Sequence, residues 1–143
     1  MVRVLVFLVL LTACNSQFKQ NSLVKPNIVF IMADDMGFGD VGIYNPNSKI
    51  PTPNMDQLAR EGRYFTDAHS PSSVCSPTRY GVLTGRYAWR TWLKEGALEP
   101  FDKLMVDTAR YTVADLLKDQ GYATAVIGKW HMGLTYQDSI DYY

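Results

Sequence analysis

Ile28-Val29-Phe30-Ile31-Met32-Ala33 is an apolar run without a polar interruption, and it stops abruptly at Asp34-Asp35. Strand-length apolarity that does not alternate predicts a strand buried on both faces, as in a parallel sheet. Such a sheet needs crossover helices on its faces. The rest of the chain carries a matching pattern. Thr52 can cap a helix that has Pro53 in its first turn, Met55, Leu58 and Ala59 on its apolar face and Gly62 as its stop. Arg63 to Ala68 reads as a second strand, with Tyr64 and Phe65 as its best β-formers.

Ser76-Pro77 repeats the helix-start pattern and predicts a helix from Pro77 to about Thr84, ended by Gly85. Residues 86–108, with Trp89, Trp92, Gly96 and Pro100, show no assignable period. Thr112 opens a further helix with Val113, Leu116 and Leu117 on one side and Gly121 at its end. Tyr122 to Ile127 reads as a third strand, followed by Gly128-Lys129-Trp130-His131. Strands alternating with helices predict an α/β fold, a mostly parallel sheet sandwiched between helices.

In such sheets ligands bind beyond the carboxyl ends of the strands. Here those ends are Asp34-Asp35, the His69–Cys75 loop and Lys129–His131. Parallel strands would bring all three to one edge.

Length and composition permit one domain with a real core: 143 residues, 47% of them hydrophobic. The formal net charge is zero, which points away from nucleic acid or an anionic membrane surface as partner. Residues 1–13 hold a positive start at Arg3 and an apolar stretch from Val4 to Leu11. That stretch falls short of the about 20 apolar residues a spanning helix needs. It reads as a secretory signal peptide. Leu11-Thr12-Ala13-Cys14 resembles a bacterial lipobox, which would put a lipid on Cys14 and the chain in the periplasm or at the cell surface. Membrane association would then run only through that anchor. Residues 14–25 are polar and aperiodic and read as a tether, leaving 26–143 as the domain.

Each converging group has a plain reading and a chemical one. Asp34-Asp35 could be a solvated turn, but adjacent like charges repel unless a cation holds them. A hard divalent cation with oxygen ligands would do so, calcium ahead of magnesium. Cys75 could be a small buried apolar side chain. Yet it lies in a polar loop ahead of a helix start, where free N–H groups and the dipole favour a thiolate or a bound anion. Arg79 follows by about one helical turn and can lean to the same point. Lys129 and His131, if extended, point the same way. His69, the other of two histidines, reads as structural or as supporting a site residue from behind. Carboxylates, a thiol, an arginine, a lysine and a histidine suit transfer of an anionic group such as sulfate or phosphate. The residue types alone leave both anions open.

Cys75-Ser76-Pro77-Thr78-Arg79 matches the sulfatase signature C-x-P-x-R, and Leu83-Thr84-Gly85-Arg86 matches its continuation. The segments 26–37, 52–62 and 128–131 resemble three further sulfatase blocks in the same order. The chain thus resembles the N-terminal part of a type I, arylsulfatase-like sulfatase, with an alkaline-phosphatase-like fold that is incomplete in this chain. Thr78 stands where the signature often has Ser.

By that resemblance, Cys75 would be converted to formylglycine by a formylglycine-generating or radical maturation enzyme. Arg79 would hold that residue and its oxyanion. Asp34, Asp35 and the converted Cys75 would bind calcium. Lys129 and His131 would contact the sulfate and the formylglycine hydrate. One hydroxyl of the hydrate attacks sulfur, the alcohol leaves, and the second hydroxyl expels sulfate to restore the aldehyde. The substrate would be a sulfated small molecule or polysaccharide.

Sulfatases are several times longer than this chain, so it looks like a fragment or a truncated gene model. Alone it is expected to bind metal poorly, turn over slowly or not at all, and expose an unfinished sheet edge. Two rivals are a phosphonate or phosphate monoester hydrolase of the same superfamily and a non-catalytic, sulfated-glycan-binding lipoprotein. A third is a pseudogene product.

Overall fold

A computed structural model describes residues 24–134. The signal peptide and most of the tether read from the sequence lie outside the described residues. Residues up to Met32 and residues from Ala33 onward form two compact units. In the first, the described residues 24–32 have no helix or ladder, and Ile28, Val29, Phe30 and Ile31 are exposed.

The second unit holds three helices: α1 (Pro53–Glu61), α2 (Cys75–Thr84) and α3 (Val113–Asp119). Two 3₁₀ turns, Phe38–Asp40 and Ala88–Arg90, complete its regular structure. All three helices stand where capping and stop residues place them. Gly62 ends α1 with its N–H on the Leu58 carbonyl. Gly85 ends α2 in the left-handed conformation, φ 66°, a region that costs glycine nothing. Thr112 caps α3 by accepting from the Asp115 N–H, while the Asp115 carboxylate accepts from the Thr112 N–H at 2.9 Å. This reciprocal box satisfies two donors that a helix start leaves open.

Thr52 behaves differently from its expected role. Its hydroxyl makes no cap bond to α1. It accepts from the Gly42 N–H at 2.8 Å and donates to Asp56 Oδ1 at 3.0 Å, and Asp56 also accepts from the Ile43 N–H at 2.8 Å. The first turn of α1 therefore fastens the loop that follows Asp34-Asp35. A Cβ on Gly42 would lie 2.5 Å from Asp56 Oδ2, so that clamp requires glycine. Tyr44 extends it, stacking near Phe38 at 4.3 Å and donating its hydroxyl to the Phe65 carbonyl.

The three predicted strands are not formed among the described residues; their one bridge is Lys103 with Leu134, parallel and isolated. The physical reason is that a helix closes its hydrogen bonds within itself, whereas a strand needs a neighbour to close them. Tyr64, Phe65, Val126 and Ile127 are accordingly exposed, and so is the apolar face expected of α1, with Leu58 at 71%.

The core lies elsewhere. Tyr80 from α2 packs with Ala88, Leu93, Leu98, Met105, Val106 and Met132, and Leu83 and Trp130 flank them. Much of this core comes from residues 86–108, the stretch without sequence period. It gathers around α2, which packs against the second 3₁₀ turn and α3.

Candidate active site

Cys75 is the first residue of α2, one or two positions earlier in the helix than its sequence suggested. Pro77 is therefore the third helical residue, where its missing N–H is one that no intrahelical carbonyl would have accepted. The loop before Cys75 is held by its own serines. Ser72 Oγ accepts from the Val74 N–H at 3.2 Å, and the Ser72 carbonyl accepts from Thr78 Oγ1 and Ser70 Oγ, both at 2.6 Å. Pro71 presses onto α2 at Gly81, where a Cβ would come within 2.5 Å of its ring. Ser76 is fully buried and accepts from the Leu98 N–H at 3.1 Å, tying the start of α2 into the core.

Arg79 lies one turn along α2, and its side chain is 14% exposed. Its Nη2 donates to Asp34 Oδ1 at 3.2 Å, and its Nη1 donates to the Lys129 carbonyl. Lys129 Nζ donates to Asp34 Oδ2 at 2.8 Å and reaches Cys75 Sγ at 3.3 Å. Four residues from three distant parts of the chain thus meet at one point, as the strand-end reasoning predicted. They do so without the sheet that reasoning invoked.

Asp35 joins them through its backbone. Along an extended strand adjacent side chains face opposite ways. Asp35 has φ 53°, a left-handed conformation that Asp tolerates better than most residues. Asp34, Asp35 and Cys75 each offer one ligand atom, and the three lie within 4.8 Å of one another.

The electrostatics follow from these contacts. The hydrogen bond from Lys129, with Arg79 in support, holds the Asp34 carboxyl below its usual value of 3.8. Asp34 first and Cys75 second hold the Lys129 ammonium above its usual 10.5. Both side chains remain over two-fifths exposed, so this pairing orients more than it stabilises.

The donor set fits a hard divalent cation. Each Asp34 oxygen already accepts one hydrogen bond, but an ionised carboxylate has about four lone-pair sites in all, so both oxygens keep one free. Two carboxylates supply oxygen donors, and the Cys75 sulfur marks where an oxygen of a converted side chain would sit. Together they cover at most half of the six to eight oxygens calcium takes.

His131 departs from its predicted placement. With φ 50° the chain is not extended there, so the alternation that would align its ring with Lys129 does not apply. His131 Nε2 lies 3.1 Å from the Leu98 carbonyl. A carbonyl only accepts, so Nε2 carries the hydrogen and Nδ1 of the neutral ring is an acceptor. Nδ1 is buried and has no partner among the described residues. His69 stands apart from the cluster, exposed and paired with the equally exposed Asp67 at 2.7 Å, so it neither supports the site nor packs in the fold. Sequence reasoning missed Ser76 and Leu98. Leu98 donates to Ser76 and accepts from His131, so one backbone residue links the start of α2 to the histidine. Ser76 was readable only as part of a helix start, and Leu98 carried no signal at all.

The Sulfatase family model matches residues 26–142. N-acetylgalactosamine-6-O-sulfatase of Bacteroides thetaiotaomicron is 45% identical over 137 residues, covering 93% of this chain and 26% of that protein. Human arylsulfatase A is 46% identical over 109 residues, covering 76% of this chain and 21% of its own length. A solved structure, described under metabolism of multiple glycosaminoglycans by Bacteroides thetaiotaomicron, superposes with a TM-score of 0.73 at 46% identity. It covers 80% of this chain and 23% of that one. The chain spans about a quarter of the length of the relatives it matches. The shared sequence, and a shared fold over most of its length, place this chain in the sulfatase family.

Proposed function

We propose that this chain carries the nucleophile-bearing part of a sulfate ester hydrolase, with Cys75 converted to formylglycine by a maturation enzyme. The observation supporting this reading is the meeting of Cys75, Arg79, Lys129 and Asp34 at one exposed point. Formylglycine supplies a hydrated aldehyde, whose two hydroxyls on one carbon serve for attack and for release of sulfate. Calcium, held by Asp34, Asp35 and the converted side chain, supplies positive charge to the sulfate oxygens.

The remaining work falls to this chain's own residues. Arg79 is anchored on Asp34 and on the Lys129 carbonyl, so its guanidinium is fixed beside position 75 before substrate arrives. Lys129 bridges Asp34 and position 75, where its ammonium donates to a sulfate oxygen. His131, oriented through Nε2 by the Leu98 carbonyl, offers Nδ1 to accept a proton from a hydroxyl at the site. The substrate is a sulfated small molecule or polysaccharide, met outside the cell by a chain exported through residues 1–13 and tethered at Cys14.

The test is coexpression with a formylglycine-generating enzyme, followed by mass spectrometry of the peptide around Cys75. The expected result is an aldehyde at Cys75, read as loss of the sulfur and two hydrogens with gain of one oxygen, abolished by Cys75→Ala and sharply reduced by Arg79→Ala. A Cys75 that stays a thiol in cells that convert a control substrate would sink this reading. Kinetics of the matured, complete enzyme on an aryl sulfate and an aryl phosphonate would separate it from a phosphonate or phosphate monoester hydrolase.

A further inference from the structure

A second cavity, of about 340 Å³, lies beyond the C-terminal end of α2 and is lined by Arg86, Arg90, Lys103 and Arg110 with Trp92. Its volume is within the range of about 300–1,000 Å³ usual for ligand sites. One carboxylate, Asp107, shares the lining, yet none of the four cations forms an ion pair among the described residues. Asp107 instead accepts from the Ala109 N–H at 2.9 Å. Four cations around one hollow repel one another, and the single carboxylate in the lining leaves it with an excess of positive charge. Arg110 Nε is buried and has no hydrogen-bond partner.

The aromatic surroundings narrow the class of ligand. Lys103 Nζ stands 5.2 Å over the Trp92 ring and Arg90 stands 5.1 Å over Trp89. Both indoles are exposed, and Trp89 stacks on the exposed Tyr87 at 5.9 Å. Flat, exposed rings beside unpaired cations suit an acidic sugar: rings meet the apolar face of the pyranose and cations meet its oxyanion. The balanced charge of the chain as a whole argues against a general polyanion surface. The positive charge is local to this hollow.

We propose that this cavity is a second anion site, which holds a sulfate or carboxylate group of an acidic polysaccharide away from the Cys75 cluster. α2 has ten residues, so its two ends lie about 15 Å apart. A ligand touching both sites must therefore be a polymer rather than a small aryl ester. This inference concerns binding alone and stands whether or not Cys75 is converted.

The test is equilibrium binding to the full chain carrying Cys75→Ala, which removes turnover from the measurement. The probes are a heparin-derived sulfated oligosaccharide, a hyaluronan oligosaccharide whose only anions are carboxylates, and neutral dextran. Expected is salt-sensitive binding of at least one acidic probe and none of dextran, weakened about tenfold by Arg90→Gln with Lys103→Gln. Lys49→Gln, which removes an exposed cation outside both the hollow and the Cys75 cluster, should leave it unchanged. Preference for the heparin fragment identifies sulfate as the anion, and equal binding of hyaluronan identifies carboxylate. Lys103→Gln alone changes an exposed side chain, so a smaller loss there keeps the test valid if the double variant misfolds by circular dichroism. Binding that survives the cavity substitutions, falls as far with Lys49→Gln, is absent for both acidic probes, or is surpassed by a single-stranded oligonucleotide overturns the proposal.

Discussion

The stretch from Tyr122 to Ile127 is more apolar than α2 and its surroundings, yet the burial runs the other way. Around α2, Tyr80 and Met132 are sealed in a core. In the other stretch Ile127 is 97% exposed. The contrast lies in where hydrogen bonds can close. A helix completes its backbone bonds locally and then needs only one packed face, which the aperiodic residues 88–106 supply. An extended segment leaves every N–H and C=O open until another strand lies beside it. Apolarity is therefore necessary for burial in both regions and sufficient in neither.

Truncation at the two ends of this contrast should give its largest effect. Met132→Ala removes a side chain with no exposed surface and should cost about 2–5 kcal/mol in urea unfolding. Ile127→Ala should stay within about 0.5 kcal/mol of the parent. Equal losses at both positions would erase the distinction between a built core and an uncovered stretch.

A middle-sized effect is expected where the loop before Cys75 presses on α2. Gly81→Ala forces a methyl group against Pro71 and should cost about 1–3 kcal/mol by the same measurement. The displaced Pro71 would also shift the Ser70–Val74 loop, so maturation of Cys75 should fall with stability. Unimpaired stability would mean that the loop is not seated on the helix.

The smallest effect belongs to the exposed charge cluster, which separates positioning from packing. Asp34 has a folded pKa below 3.8, so its contribution is fully present above that value and is lost as the pH falls through the lowered one. Lys129 is raised above 10.5, so its contribution is present below that value and fades above it. Asp34→Asn should lower the melting temperature slightly at neutral pH, and the difference should vanish well below pH 3.8. A difference that persists in acid would mean that Asp34 acts through something other than its charge.

Much of the site was legible because its parts are local. The turn at Asp34-Asp35, a helix start within two residues of Cys75 and the one-turn spacing to Arg79 follow from glycine, proline and capping chemistry within a few residues. The same locality made all three helix ends readable to within one or two positions. What escaped was non-local. Thr52 looked like a cap and is a clamp, because Gly42 brings a competing N–H within reach from ten residues away. His131 looked parallel to Lys129 and is not, because Leu98 offers a carbonyl from 33 residues away. Residues 86–108 looked featureless and supply much of the core, because irregular backbone leaves no period to read.

The sequence by itself determined the family and the helices, since each is written in short-range patterns. Only the tertiary structure decided that Lys129 joins Cys75 and Asp34 while His131 turns to Leu98, and that four unpaired cations share one hollow. Those outcomes depend on which distant groups arrive within hydrogen-bond or Coulomb range, and that is a property of packing which no local pattern encodes.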